Sequence, residues 1–160
     1  MPKGWRIAFG EQMCEELKQE LIKFNYLDDY EITQIKEKYG SLRWYDNGHP
    51  IGKLELIGVE EYEDGMPQHN YETDFYRYVG VSKNNKLQYK HYKIIDKCKV
   101  QDIISKYEKI SARTCIECGK LATKISLGWI SPWCDDCSSK IHDNFMDIND
   151  YFSEVTDEEI

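Results

Sequence analysis

The sequence predicts an α+β fold: an N-terminal helix on an antiparallel β-sheet, then a second helix leading into a cysteine-rich C-terminal module. Three observations carry this. Apolar residues recur at helical spacing near the N-terminus and again over Val100–Ser111. Between these stretches the pattern changes to β-branched and aromatic runs broken by turn clusters. Beyond the second stretch stand two closely spaced cysteine pairs. At 160 residues the chain suits one domain, or one with a small satellite.

The first helix is predicted over residues 9–25. Phe9, Met13, Leu17, Leu21 and Phe24 recur three and four apart, and charged residues fill the other faces. Cys14 is expected in the core beside them. Residues 32–45 read as a hairpin split at Gly40-Ser41, with the cluster from Asp46 to Pro50 ending its second strand. Residues 53–59, 74–82 and 87–95 read as further strands, separated by an acidic loop over 60–70 and a turn at Asn84-Asn85. Together they are expected to extend the first hairpin as an insertion at about 49–93. In Val100–Ser111, Ile103, Ile104, Tyr107 and Ile110 share the apolar side. Trp44 and Trp129 are expected in a common core with Ile35, Leu42, Leu17, Leu21 and Ile104. His49, His69 and His91 read as surface residues. The resulting plan is an α+β core over 1–112, a module over 113–142 packed on it, and an acidic tail over 143–160 whose last residues lack order.

Cys115-Ile116-Glu117-Cys118 and Cys134-Asp135-Asp136-Cys137 are two C-x2-C pairs fifteen residues apart. A two-residue gap lets a tight turn aim both sulfurs at one ion, and two such turns complete a tetrahedron, the arrangement of a structural four-thiolate zinc site. Gly119 suits the positive φ that a knuckle after the first pair needs. Residues 120–133 hold enough apolar residues for a hairpin, and Asp135-Asp136 suit the first turn of a helix. Knuckle, hairpin and ligand-bearing helix make a treble-clef-like unit with Cys115, Cys118, Cys134 and Cys137 as ligands. His142, five residues past Cys137, is the weaker alternative ligand.

The net charge of −8 argues against a general nucleic-acid coat, which needs excess Lys and Arg. No apolar run approaches the length that crosses a bilayer, and residues 1–10 lack the apolar stretch of a secretory signal, so a cytoplasmic location is expected. No phosphate loop, dinucleotide fingerprint, HExxH or GxSxG motif occurs, and no His-x-Glu precedes the cysteines. A closed thiolate site has no open coordination position, so no catalytic residue is assigned and the protein is not expected to be an enzyme. Cys98 is flanked by Lys97 and Lys99, which would lower its pKa, but the sequence around it carries no recognisable catalytic motif.

The stretch from Gln34 to Tyr45 (QIKEKYGSLRWY), Ser111 to Gly119 (SARTCIECG), Gly128-Trp129 and the closing pair together resemble a group of small uncharacterised phage and prophage proteins. That group has a "KEKFGGLRFY" hairpin, an "RSxxTCxxCG" element, a "GW" turn and a closing metal pair; Gly4-Trp5 matches its opening "GW". The resemblance covers roughly residues 4–48 and 94–140. Two departures are the insertion and Cys137, where the group often has His. The resemblance implies a phage-type accessory protein in the bacterial host cytoplasm. Such a protein is expected to dock on a host protein, modulating or inhibiting a host or defence system. Surface tyrosines are the expected anchors, and Tyr62, Tyr71, Tyr76 and Tyr78 forming one patch would favour this reading. The alternative is a nucleic-acid-binding zinc-finger protein using the basic stretch Lys86, Lys90, Lys93, Lys97, Lys99, Lys106 and Lys109, with Tyr89 and Tyr92 interleaved.

Overall fold

In the computed structural model, which describes residues 1–158, the chain divides into two compact units. One combines Met1–Gly48 with the chain from Val100 onward. The other is His49–Lys99.

The first unit opens on a continuous helical segment. Helix α1 (Lys3–Trp5) follows Pro2, whose ring presets a helical start. It passes through a π-helical turn (Arg6–Gly10) into α2 (Glu11–Lys23). The helix therefore begins six residues earlier than its periodicity suggested, and Gly10 lies inside it. Phe9, Met13, Leu17 and Leu21 are buried as their spacing requires, but Cys14 is exposed. Strands β1 (Ile32–Lys38) and β2 (Ser41–Asp46) form the predicted hairpin. Its turn is Tyr39-Gly40, both at positive φ (52° and 81°), the mirror-image turn whose twist matches the strands. Helix α3 (Val100–Ser111) packs against α2 and β2. Ile104 and Tyr107 are buried, and the Phe9 and Tyr107 rings stack at 5.3 Å. Ile110 is exposed, at the edge of the face. Ser111 Oγ accepts from the Leu42 backbone N–H at 2.8 Å and donates to the Glu108 carbonyl at 2.6 Å, joining helix to strand.

The C-terminal part pairs β6 (Lys124–Ser126) with β7 (Ser131–Trp133), followed by the short helix α4 (Asp135–Ser138). The chain beyond it is not a loose tail. Strand β8 (Phe145–Asp147) pairs with the free edge of β6, and α5 (Ile148–Glu158) follows. Ile148 is buried against Ala122 and Ile125, with Tyr151 and Phe152 packed beside them. Phe145 thus lies in a strand rather than in a tail. The final residues expected to lack order, 159–160, lie outside the described residues.

The second unit is an antiparallel sheet of β3 (Gly52–Tyr62), β4 (Asp74–Val81) and β5 (Leu87–Lys97), ordered β3-β5-β4. Among the described residues these strands pair only with one another, so the insertion does not extend the β1–β2 sheet as expected. Its two ends are tied together by the Cys98 N–H donating to the Ile51 carbonyl at 2.9 Å.

Candidate metal centre

The knuckle Cys115–Gly119 closes on itself. The Cys115 N–H donates to the Lys120 carbonyl at 2.7 Å and the Gly119 N–H to the Cys115 carbonyl at 3.1 Å, with Gly119 at φ 83°. It is anchored to β7 by the Ile116 N–H donating to the Pro132 carbonyl at 2.9 Å. The second pair starts α4: Cys134 is its N-cap, and its sulfur accepts from the Cys137 N–H at 3.4 Å. Thr123 Oγ1 donates to the Asp135 carboxylate at 2.6 Å, holding the helix start against the chain entering β6.

These elements bring Cys115, Cys118, Cys134 and Cys137 together with all four sulfurs within 4.8 Å of one another, an arrangement that could hold a metal ion. The Cys118 and Cys134 sulfurs are 3.6 Å apart. Cys115 and Cys134 are buried and the other two partly so. Among the described residues no other group of His, Cys, Asp and Glu is placed this way, and exposed His142 is not part of it. Burial raises the Cys115 thiol, but the Cys118, Cys134 and Glu117 backbone N–H groups outweigh it and bring the thiol down to about 7. Burial and the neighbouring thiols push Cys137 up to about 12. Four sulfurs in this space resist full ionisation through mutual repulsion; a cation removes that resistance.

The N-terminal helix buttresses the knuckle, which the spacing of the cysteines did not reveal. The Gly4 N–H donates to the Ile116 carbonyl at 2.8 Å. A Cβ on Gly4 would run into the Cys115 carbonyl oxygen and come within 2.8 Å of the Gly119 nitrogen; one on Gly119 would meet the Gly4 carbonyl oxygen at 2.6 Å. Trp5 beside it is fully buried, and its indole N–H donates to the Thr114 carbonyl at 3.0 Å. Trp129, expected in the core, is not buried. Trp129, at the β6–β7 turn, is 74% exposed, with its N–H donated to the Glu37 carboxylate at 3.1 Å. Trp44 is buried with Leu42, Leu17, Leu21 and Ile104, while Ile35 is half-buried.

The second unit holds a titratable cluster that sequence reasoning missed. His91 on β5 lies between Glu60 on β3 (Nδ1 to Oε1, 3.4 Å) and Asp74 on β4 (Nε2 to Oδ2, 3.2 Å). Its ring stacks on Tyr76 at 4.0 Å. It is half-buried, not a surface histidine, because cross-strand pairing joins residues far apart in sequence. Tyr62 and Tyr78 both contact Tyr89, at 5.7 and 5.5 Å, and Tyr71 stacks on His69, which meets Tyr76 edge-on. Tyr71 and Tyr78 are exposed, whereas Tyr62 and Tyr76 are half-buried.

The basic stretch is divided between the two units, with Lys86 to Lys99 in the second and Lys106 and Lys109 in the first. Lys86 pairs with Glu63, Lys97 with Glu72 and Lys106 with Glu16. The eight Lys and Arg of His49–Lys99 are matched by eight Asp and Glu. Among the described residues no helix is long and apolar enough to cross a membrane. Comparison of the chain with protein-family models, curated proteins and solved structures gives no match.

Proposed function

We propose that this protein is a non-catalytic, zinc-stabilised binding module of phage type that docks on a host protein in the bacterial cytoplasm. Zinc is the ion that the donor set suits: tetrahedral thiolates about 2.3 Å from Zn²⁺ have sulfurs about 3.8 Å apart, close to the 3.6 Å between Cys118 and Cys134. The knuckle, the β6–β7 hairpin and α4 carrying the last cysteine follow the treble-clef order. With four thiolates bound, such an ion has no vacant position for water or substrate, so its part is to hold the fold.

The observation that carries the docking reading is the ring cluster of the second unit, in which Tyr71 and Tyr78 stand 56% and 52% exposed beside Tyr62, Tyr76 and Tyr89. Tyrosine supplies large contact area at low cost in side-chain entropy, which makes such clusters effective anchors at protein interfaces. The test is capture of a host protein from nuclease-treated lysate, reconstituted with the purified pair. The double variant Tyr71→Ala/Tyr78→Ala is expected to lose that partner while keeping its metal. Capture that nuclease abolishes, or that the double variant retains, contradicts the reading.

A further inference from the structure

The outward face of the β1–β2 hairpin carries charge of the wrong sign for so acidic a chain. Register places Lys36 directly opposite Arg43, with Lys38 opposite Ser41 and Gln34 opposite Tyr45. Residues two apart share a face, so Lys36, Lys38 and Arg43 lie together with Tyr45. Like charges directly opposite one another destabilise a strand pair. No carboxylate among the described residues relieves them, although Asp and Glu outnumber Lys and Arg by 29 to 21 in the chain. The Lys36 ammonium lies 5.5 Å from the Tyr45 ring centroid and the Lys38 ammonium 5.6 Å from that of Tyr39, so the cations alternate with aromatic faces along the ribbon. At the hairpin tip, Lys36, Lys38, Tyr39, Gly128, Trp129 and Ile130 line an open cleft of about 370 Å³. Tyr39 is 73% exposed there. The one acid in the cleft, Glu37, already accepts from the Gly40 N–H at 2.7 Å and from Trp129.

Unpaired cations interleaved with open rings match a polyanion with a planar group on each unit. We infer that the β1–β2 ribbon and the Trp129 cleft bind single-stranded nucleic acid, with Lys36, Lys38 and Arg43 on phosphates and a base stacked on Trp129. This surface differs from the tyrosine cluster and from the lysines of residues 86–109. The acidic remainder of the chain confines binding to this face, so few phosphates are neutralised. Three contacts give a slope of log affinity against log salt of about −2 for a single strand.

The test uses the full metal-loaded chain and a fluorescein-labelled mixed-sequence single-stranded oligonucleotide, read by anisotropy at about 50 mM salt and then at rising salt. Binding is expected, with quenching of the exposed Trp129. Lys36→Gln, Lys38→Gln and Arg43→Gln should each weaken binding and flatten the salt slope by about 0.7. Trp129→Ala should weaken it about tenfold or more. Trp129→Phe keeps a ring but loses the bond to Glu37, and should bind nearly as wild type. Lys83→Gln, in the other unit, should change nothing. The inference is overturned by absence of binding at low salt, or by a Trp129→Phe defect equal to that of Trp129→Ala. Equal competition by polyglutamate, or a preference for the duplex of the same sequence, also overturns it.

Discussion

Gly4 and Gly119 meet backbone to backbone, and this contact couples the N-terminal helix to the cysteine knuckle. Gly4→Ala would force a methyl group into the Cys115 carbonyl, so the helix or the knuckle must move. A destabilisation of about 1–3 kcal/mol, the usual cost of overpacking, is expected, together with weaker metal retention against a chelator. Thermal unfolding with competitive chelation measures both. Cys118→Ser and Cys134→Ser remove a thiolate each and should leave the purified protein with little metal, while the β1–β2 hairpin and α2 persist in amide exchange. In the second unit, Asp74 is held below the usual carboxylate range, first by the Asn70 backbone N–H and next by His91. A lowered folded pKa stabilises above the unfolded value of about 3.9 and loses that contribution as pH falls through the folded value. Protection factors of the amides across β4 and β5, taken relative to intrinsic exchange at each pH, should therefore fall on acidification below about pH 4, and Asp74→Asn should remove that fall. The four cysteines were legible because ligand geometry demands their spacing. Gly4, His91 and Trp129 were not legible in the same way, since their environments come from segments distant in sequence: the knuckle, two flanking strands and the β1–β2 hairpin.

Elements followed their periodicity where one face met a core. The buried face of α2 and the core positions of α3 and β2 lie where spacing put them, because burial of an apolar stripe is the main reason those elements form. The failures lie where pairing partners decide. β8 has only three residues and no apolar alternation; it is a strand because the free edge of β6 accepts it. Likewise, nothing in the alternation of β3 to β5 says whether they join the first hairpin or stand as their own sheet. The junction of α3 and β2 depends on one hydroxyl. Ser111→Ala strips the buried Leu42 N–H of its acceptor and should cost about 1–3 kcal/mol, the penalty for an unpaired buried group, seen as a lower midpoint in urea.

At the scale of the whole molecule, the chain leaves one compact unit at Gly48, builds another, and returns at Val100. The backbone bond between Cys98 and Ile51 keeps the exit and return points of the second unit together. Replacing residues 49–99 with a short Gly/Ser linker should therefore leave a folded, metal-binding first unit that has lost the tyrosine cluster. A linker variant without metal and without cooperative unfolding would show that the first unit needs the insertion. Cys115, Cys118, Cys134 and Cys137 are expected to share one structural ion. Elemental analysis of purified protein, with X-ray absorption at the zinc edge, tests this most directly. One zinc per chain in a four-sulfur shell at about 2.3 Å is expected. Metal content near zero, with all four thiols titrating freely in the native protein, would contradict it.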